Sequence, residues 1–308
     1  MTTLIDESTL TQLLRGVLGQ ARNLVSYRFL RKATDYAVVA AALTDPAQAV
    51  VIKLAGPQAV LAPDFARSAT IAQVVRSCSG VQTFEVLAVD TSARRWPWQY
   101  LVTTWCPGQL WSAVRPRKKN GEARALYISL GAAIGQMHTI GFSTCGEITS
   151  DGRVLAGTSY AAALRRRAQR RIANPAHVAL FLSVLQEHHA LFESLPAGVL
   201  CHEDLNPGNL LVQELPAGPP ALWVLDFDSA WAGCAESDLA RLEFWRGMMG
   251  EGFWEAYRTF APLSDSYSQR RPIFQLLWCL EYARPTVKHL RDTASVCEAL
   301  RLPPVTFP

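Results

Sequence analysis

Carboxylate, amide and imidazole side chains with a fixed spacing follow a short apolar run in the last third of the chain. His202, Asp204 and Asn209 form the pattern H-x-D-x-x-x-x-N, and Asp226 follows a second apolar run. A carboxylate can orient and deprotonate an attacking hydroxyl, which fits Asp204. Asn209 and Asp226 supply the hard oxygen ligands that Mg²⁺ prefers. Because loops between strands position such groups well, the pattern indicates a phosphoryl-transfer site rather than isolated turn aspartates.

A lysine earlier in the chain supplies the remaining group that this chemistry needs. Lys53 lies in the strand-like run 50–54, and a cation placed there can hold the α- and β-phosphates of a nucleotide. On its own, a strand lysine is often a solvated edge residue. Its combination with the two aspartates and the asparagine favours nucleotide binding.

The first third of the chain has the pattern of a small sheet with helices. Short apolar runs separated by turn residues predict an antiparallel meander. We expect helices at 9–23 and 64–77 and strands at 25–30, 36–43, 48–54, 84–89 and 98–104. The sequence Cys106-Pro107-Gly108 breaks this pattern. We therefore place a boundary between a unit of residues 1–105 and a unit of residues 106–308.

The second unit is predicted to be larger and mainly helical. Helical spacing dominates residues 122–194 and the chain from 237 onward. Strand-like runs at 198–201, 209–213 and 221–225 surround the two polar loops. These short strands would have to position the residues that carry the chemistry.

Composition restricts the class of protein. With 308 residues, of which 49% are hydrophobic and 18% charged, the chain has the balance of a globular protein. Its longest apolar run, residues 36–43, is far shorter than the ~20 residues of a membrane span, and no signal-peptide pattern is present. Seven scattered cysteines without a C-x-x-C pair argue against a disulfide framework or a zinc site and favour the cytoplasm.

Charge is unevenly distributed along the chain. The arginine-rich stretches 115–119 and 165–171 lack the interleaved aromatic residues that stack on nucleic-acid bases. We interpret the second stretch as a solvated helix and expect no nucleic-acid partner. The last third of the chain is acidic, which suits either a solvated surface or a cationic ligand.

Four segments together resemble a known family. The loop 202–209 and the triplet D-F-D at 226–228 resemble the catalytic loop and the metal-binding motif of the protein-kinase-like fold. More specifically, they resemble the aminoglycoside phosphotransferase (choline kinase-like) branch. Residues 130–138 are similar to the helix that precedes the substrate lobe in that branch, and residues 237–240 to the helix start after its metal loop.

Two features distinguish the chain from protein kinases. The segment between Asp226 and Asp238 is too short for an activation segment that docks a peptide. Asn206 stands where protein kinases usually have a lysine. Both features favour a small-molecule substrate.

The resemblance implies an α+β, two-lobed protein-kinase-like fold with a small antiparallel-sheet N-terminal lobe and a larger, mainly helical C-terminal lobe. It implies an enzyme that transfers the γ-phosphate of ATP or GTP, with Mg²⁺, to a hydroxyl of a small molecule. In that assignment Asp204 is the catalytic base, and Asn209 and Asp226 hold magnesium. Lys53 holds the nucleotide phosphates. The hinge that reads the purine through its backbone would consist of Thr104, Trp105 and Cys106.

Supporting roles follow for three further residues. By resemblance, Asp238 would brace the catalytic loop. Asp228 would either cap a turn, which we favour, or add to the metal shell. We expect His202 to hydrogen-bond to neighbouring backbone and shape its loop rather than to transfer protons.

One expected family feature is missing from the first hairpin. The family usually has a glycine-containing loop over the phosphates, but the segment between Arg28 and Ala41 contains no glycine. Arg31, Lys32 or the hydroxyl of Thr34 would have to contact phosphate instead.

A second expected feature is missing from the helix at 64–77. The glutamate that should pair with Lys53 is replaced by Ser68, so either Asp64 substitutes or Lys53 is held differently. Together with the missing glycine loop, this leaves open a non-catalytic binding or regulatory protein on a kinase-like scaffold.

The sequence leaves the acceptor open. The family spans aminoglycosides, macrolides, choline, homoserine, sugars and other alcohols. The acidic last third favours a cationic acceptor such as an aminoglycoside, which would make the protein an antibiotic-resistance enzyme; its acids include Glu236, Glu243, Glu251, Glu255 and Asp265. The nine tryptophans would equally suit an apolar or sugar pocket.

Overall fold

A computed structural model describes residues 5–59, 63–155, 159–193, 195, 198–282 and 285–307. The N-terminal part contains a five-stranded antiparallel sheet with the strand order β1-β2-β3-β5-β4. Its strands are β1 (Asn23–Ala33), β2 (Tyr36–Thr44), β3 (Gln48–Ala55), β4 (Val86–Asp90) and β5 (Gln99–Thr104). All five strands predicted from the sequence are present, and β1 is longer than expected.

Two helices cover this sheet. Helix α1 (Glu7–Leu18) buries Leu10, Leu13 and Leu14 in the same core as the apolar side chains of β2 and β3. It ends earlier than the predicted residue 23 because Gly19 adopts φ 112° and its N–H donates to the carbonyl of Arg15. A glycine with a positive φ directly after the last helical residue commonly terminates a helix.

Helix α2 (Phe65–Cys78) begins at Asp64, whose side chain accepts a hydrogen bond from the N–H of Arg67 at 3.0 Å. This is an N-cap, which satisfies one of the free amides of the first turn. Ile71 and Val75 of α2 pack into the core of the C-terminal part. The two parts of the chain therefore share apolar packing through this helix.

The turn between β1 and β2 has only two residues, Thr34 and Asp35, because Ala33 pairs directly with Tyr36. Asp35 adopts φ 56°, a conformation that glycine or a short polar residue tolerates best. Its carbonyl and carboxylate accept from the N–H groups of Gly56 and Gln58 at 2.8 and 2.6 Å. A tight, hydrogen-bonded turn thus stands where the family has its glycine loop.

The C-terminal part is mainly helical, with two small sheets. The sheets have the orders β6-β8-β9 and β10-β7. Their strands are β6 (Gln109–Leu110), β7 (Val199–Cys201), β8 (Leu210–Gln213), β9 (Ala221–Val224) and β10 (Trp231–Gly233). The helices are α3 (Trp111–Val114), α4 (Asn120–Met137), α5 (Tyr160–Arg171), α6 (Pro175–Glu187), α7 (Ala190–Glu193), α8 (Ala235–Leu242), α9 (Phe253–Arg258), α10 (Tyr267–Leu280) and α11 (Val287–Ala299).

Short 3-10 turns occupy Arg115–Arg117 and Phe227–Ser229. Residues 140–155 are not helical but form isolated bridges, including Gly146 with Ala232. This corrects part of the helical prediction for 122–194, whose last residue lies outside the described residues. The α+β arrangement of a sheet-containing N-terminal part and a helical C-terminal part is confirmed.

Helices α4 and α9 pack closely because two glycines face the contact. A Cβ at Gly131 would lie 2.3 Å from the carbonyl oxygen of Phe253, so a side chain cannot be added without movement. A Cβ at Gly135 would meet Phe260 at 3.0 Å.

Within the described residues, no helix combines the length and the hydropathy that crossing a bilayer requires.

Candidate active site

The strand pair β8–β9 brings the two proposed magnesium ligands together. Asn209 directly precedes β8, and Asp226 follows β9 after one intervening residue. Leu210 pairs with Val224, and the N–H of Leu225 donates to the carbonyl of Asn209 at 2.9 Å. Asp226 adopts φ 69° and ψ 70°, a rare conformation for a non-glycine residue. Such strain is typical of functional positions.

Asp238 holds the backbone of the catalytic loop. Its two carboxylate oxygens accept from the N–H groups of His202 and Glu203, each at 2.7 Å. The Nε2 of His138 lies 3.2 Å from the same carboxylate. Burial opposes ionisation, but the hydrogen bonds and the nearby histidines outweigh it and lower the pKa of Asp238. The expected bracing role is confirmed. His138, the last residue of the segment 130–138, contributes to it through its contact with Asp238.

His202 links the two polar loops to each other. Its Nδ1 accepts from the N–H of Asp204 at 3.1 Å, and its Nε2 lies 2.8 Å from the carbonyl oxygen of Leu225. An accepting Nδ1 leaves the proton on Nε2, so both ring nitrogens are used for backbone contacts. The prediction that this residue shapes the loop is confirmed.

The carboxylate of Asp204 is held from both sides. Its Oδ1 accepts from Nη2 of Arg241 at 2.7 Å, and its Oδ2 accepts from Nδ2 of Asn209 at 3.0 Å. Nδ2 of Asn206 and of Asn209 also donate to the Asp204 carbonyl, at 2.9 Å each. About a third of the Asp204 side chain stays exposed (34%), so a substrate can reach it.

Sequence reasoning missed Arg241. It lies three residues after Asp238 on α8, so the two side chains project from one face of the helix towards the same loop. The three-residue spacing between Asp238 and Arg241 is the sequence signal that could have identified Arg241. Burial lowers the pKa of Arg241, and its guanidinium carbon lies 5.1 Å from the ring centre of Trp278.

Lys53 connects the N-terminal sheet to the metal loop. Its Nζ lies 2.6 Å from Oδ1 of Asp226 and 3.0 Å from Oδ2 of Asp228. The other oxygen of Asp228 accepts from the hydroxyl of Ser68 at 2.6 Å. The helix α2 therefore orients the lysine indirectly, through a serine and an aspartate.

This arrangement decides between the two alternatives for the missing glutamate. Asp64 does not substitute, because it caps α2, and Lys53 is held differently, by the D-F-D carboxylates. The expectation that Asp228 caps a turn is wrong, since both of its oxygens contact Lys53 or Ser68.

The pKa values of Lys53, Asp226 and Asp228 depend on one another. Burial alone would raise the pKa of Asp226, but the Lys53 ammonium outweighs it and lowers that pKa to about 2. Burial and the neighbouring charge of Asp226 raise the pKa of Asp228, partly offset by Lys53. Burial would lower the pKa of Lys53, but the two carboxylates raise it above its ordinary value. The lysine therefore stays charged at neutral pH.

In the segment predicted to be the hinge, one amide makes no hydrogen bond to the described part of the chain. The N–H of Thr104 donates to Glu85 O at 2.9 Å, and that of Trp105 donates to Ala49 O at 3.0 Å. Among the described residues, the N–H of Cys106 has no acceptor, and burial raises the pKa of its thiol to about 12. Of the three predicted hinge residues, Cys106 is thus the one with an amide available to a purine.

Basic side chains of β1 rest on aromatic rings. Arg28 lies over Trp105 at 5.9 Å, next to the hinge, while Arg31 lies over Tyr36 at 5.6 Å and Lys32 over Phe29 at 5.0 Å. These cation–π contacts place positive charge along β1. They fix the positions of Arg31 and Lys32, two of the three residues expected to contact phosphate.

The donor set around Asn209 and Asp226 suits magnesium. It consists of an ionised carboxylate, kept so by a pKa of about 2, and an amide whose nitrogen is already used by Asp204. The amide oxygen of Asn209 remains as a hard ligand, and Mg²⁺ characteristically needs few protein ligands beside substrate phosphates. Across the described ranges, no group of three or more His, Cys, Asp or Glu side chains is placed to hold a metal by itself.

The interpretation of the second arginine stretch as a solvated helix is wrong for its central residue. Arg167 is buried and lies 2.7 Å from Glu203 and 2.6 Å from Glu281. The indole N–H of Trp231 donates to the other oxygen of Glu203 at 2.8 Å. Glu203, the neighbour of Asp204, is therefore fixed by a buried ionic network.

The acids that favoured a cationic acceptor are mostly neutralised within the protein. Glu236 pairs with the buried Arg270 through two contacts of 2.7 Å. Glu243 pairs with Arg271, and Glu251 and Glu255 pair with Arg124. Among the five, only Asp265 has no ion pair in the structure described. Four of these five acids are therefore not available to a cationic acceptor in the structure described.

The chain is similar to a known protein family and to several solved structures. The model of the phosphotransferase enzyme family (APH) matches residues 33–272. The chain is similar to the aminoglycoside phosphotransferase APH(4)-Ia, with 16% identity, a TM-score of 0.66 and coverage of 95% of this chain and 97% of the other. It is similar to a protein from Haemophilus somnus assigned as a fructosamine-3-kinase, with 15% identity, a TM-score of 0.66 and coverage of 94% and 96%.

A third similar structure is a ternary complex of APH(2")-IIa with streptomycin and ATP, with 13% identity, a TM-score of 0.60 and coverage of 96% of both chains. No curated protein matches the chain significantly by sequence. At these identities the structures show the fold, and they confirm the kinase-like architecture expected from the sequence. Because the family model covers most of the chain, the protein belongs to the phosphotransferase enzyme family.

Proposed function

We propose that the protein is a small-molecule O-phosphotransferase that transfers the γ-phosphate of ATP or GTP to a hydroxyl. The observation that carries this proposal is the convergence of four side chains at one place in the structure. Lys53 reaches Asp226 at 2.6 Å, and Asn209, adjacent to Asp226 across β8–β9, bonds to Asp204. Similar structures that hold ATP, or AMP-PNP with hygromycin B, support this reading.

Each side chain has a defined task in this proposal. Asp204 accepts a hydrogen bond from the acceptor hydroxyl, orients it and takes its proton as the oxygen attacks phosphorus. Arg241 and Asn209 fix the rotamer of that carboxylate, so little ordering remains at the moment of reaction. Lys53 positions nucleotide phosphates, and the free N–H of Cys106 is available to the purine.

Asn209 and Asp226 would hold Mg²⁺. When bound, the ion neutralises charge on the phosphates. Asp228 and Ser68 keep the lysine aligned with this pair. The protein's contribution is therefore positioning and electrostatic stabilisation, without a covalent intermediate.

The acceptor is proposed as a small molecule with a free hydroxyl. A cationic acceptor loses its support because most of the acids that favoured it are paired with arginines. We also propose a cytoplasmic location, based on the scattered free cysteines. Nucleic acid is not part of the proposal, since Arg167 and Arg170 pair with carboxylates.

Asp204→Asn tests the assignment of the base. We expect the rate of phosphotransfer to a hydroxyl acceptor to fall by at least about a hundredfold, since general base catalysis contributes ~10²–10⁴. The rate is measured through the release of nucleoside diphosphate. Nucleotide affinity should stay unchanged, because the residue contacts the acceptor. Full turnover in this variant would refute the assignment.

A non-catalytic kinase-like binding protein is the second candidate. The tight turn at Thr34 and Asp35, which replaces the glycine loop, favours it. The intact ionised Asp226 argues against it. This candidate predicts that nucleotide binding does not depend on Mg²⁺.

A further inference from the structure

A partly open cavity of about 330 Å³ lies beside the loop 202–209 and is lined by residues of α2, the segment 146–155, α5 and β10. This volume is sufficient for a small organic molecule. Its charged lining consists of Arg67, Glu147, Arg166, Arg167, Arg170 and Arg171. Five guanidinium groups therefore share one small space with one carboxylate.

The carboxylates that contact these arginines do not balance them. Arg170 pairs with Glu147, and Arg167 contacts both Glu203 and Glu281. Arg171 reaches Glu281 only at 4.0 Å. The ion pairs of these five guanidinium groups thus use three carboxylates, those of Glu147, Glu203 and Glu281.

The guanidinium groups of two of the arginines make no ion pair in the part of the chain that the structure describes. Arg166 is exposed and makes no ion pair there. Arg67 is 94% buried, at 6% exposure, and donates to the backbone carbonyls of Asp228 and Ala230 instead. The Nε of Arg67 is buried without any hydrogen-bond partner. A buried guanidinium with an unused N–H is costly unless a further acceptor completes it.

The electrostatics of the lining agree with this shortage of negative charge. Burial lowers the pKa of Arg67; the charges of Asp64 and Asp228 oppose this effect, while those of Arg170 and Arg167 add to it. Burial, followed by repulsion from Arg167, lowers the pKa of Arg171 to about 10. An anion placed among these groups would relieve the repulsion.

We propose that this cavity is a binding site for a small molecule that carries a phosphate or carboxylate group. Guanidinium groups match both anions through paired N–H donors. The site goes beyond the proposed phosphotransfer, because it is built from arginines that the reaction does not use. Its contacts join it to that reaction: Arg67 binds the backbone of the metal loop, and Arg167 binds Glu203 of the catalytic loop.

Calorimetry without nucleotide tests the site directly, with inorganic phosphate and citrate as probes at constant ionic strength. We expect saturable binding of at least one probe. Arg166→Gln should weaken that binding by about tenfold, because it removes one charge-assisted contact. This variant should fold, since Arg166 is exposed and unpaired within the described residues.

Arg165→Gln is the matched control. It removes the same charge from the same helix, but Arg165 is exposed and does not line the cavity. Lys53→Met controls for anion binding at the proposed nucleotide site, and its probe affinity should equal that of the wild type. Absence of saturable binding overturns the proposal, as does an equal loss of affinity in Arg165→Gln and Arg166→Gln or loss of binding in Lys53→Met.

The source of the anionic group is resolved by a further arm. Phosphorylated and carboxylated hydroxy compounds that bind through Arg166 are incubated with Mg·ATP and examined for a new phosphate ester. A product identifies the anionic molecule as the acceptor, and binding without product identifies it as an effector. Both results support the site, and because binding is measured without nucleotide, a failure of phosphotransfer leaves the test intact.

Discussion

Replacement of Asp238 by asparagine is predicted to destabilise the fold through the catalytic loop. The carboxylate is fully buried and accepts from the N–H groups of His202 and Glu203 and from Nε2 of His138. An asparagine retains one oxygen, which can keep the bond to Glu203. Its amide nitrogen then faces the N–H of His202, so two donors oppose each other.

The size of the effect follows from these contacts. His138 can adapt by moving its proton to Nδ1, where the hydroxyl of Tyr257 lies 3.0 Å away and can accept it. One buried N–H without an acceptor costs about 1–3 kcal/mol, and loss of charge from the remaining bond costs about 1 kcal/mol more. We therefore expect Asp238→Asn to lower the free energy of unfolding by about 2–4 kcal/mol. Asp238→Ala, which leaves all three donors without an acceptor, should lower it further.

Urea unfolding followed by tryptophan fluorescence measures this difference, with coincidence of fluorescence and circular dichroism as the check for two-state behaviour. Asp265→Asn is the control, because Asp265 is exposed and has no ion pair in the described structure; it should change stability by less than about 0.5 kcal/mol. A value for Asp238→Asn equal to that of the control would refute the bracing role.

The pH dependence supplies an independent check of the same carboxylate. The pKa of Asp238 is lowered in the folded protein, so its stabilising contribution is present above the ordinary carboxyl value of 3.8 and is lost as pH falls through the folded value. The stability difference between wild type and Asp238→Asn should therefore be constant from pH 7 to 5 and shrink below about pH 4. A difference that grows at acid pH would contradict the lowered pKa.

Three further predictions concern positioning and packing. Arg241→Gln should lower kcat by about tenfold or more with little change in the KM for nucleotide, since Asp204, the proposed base, loses its fixed rotamer. Arg246→Gln, on the exposed surface, should change neither kcat nor KM. Ser68→Ala should lower stability by about 1–3 kcal/mol and weaken Mg·nucleotide binding, because the partly buried carboxylate of Asp228, which contacts Lys53, loses a donor. Ser77→Ala, exposed on the same helix, is its control in urea unfolding and calorimetry. Gly131→Ala should destabilise the fold by about 1–3 kcal/mol in urea unfolding, because its Cβ would lie 2.3 Å from a backbone oxygen; unchanged stability would contradict the close helix contact.

The meeting of the polar groups in the loop 202–209 was predictable from the sequence because these groups lie close together in the chain. Asp204 and Asn209 are five residues apart, so the loop itself brings them to 3.0 Å. Asp226 was predictable for a related reason, since the two short strands that flank the loops pair with each other. The five strands of the sheet followed from their apolar runs and turn residues.

Side-chain pairings over long sequence separations were not predictable. The contacts of Arg241 with Asp204 and of Ser68 with Asp228 depend on how α8 and α2 pack, which no local pattern specifies. The arginine stretch of α5 was misinterpreted because its helical period shows which residues share a face, but not that buried glutamates lie opposite Arg167.

Calorimetric titration with ATP and GTP, each with and without Mg²⁺, tests the central claim most directly. We predict saturable binding of at least one nucleotide that strengthens with Mg²⁺, and loss of the Mg²⁺ effect in Asp226→Asn, which keeps the side-chain shape but removes the charge beside Lys53. Absence of binding at millimolar nucleotide, or binding that neither Mg²⁺ nor Asp226→Asn changes, would contradict the assignment of these residues to a phosphotransfer site.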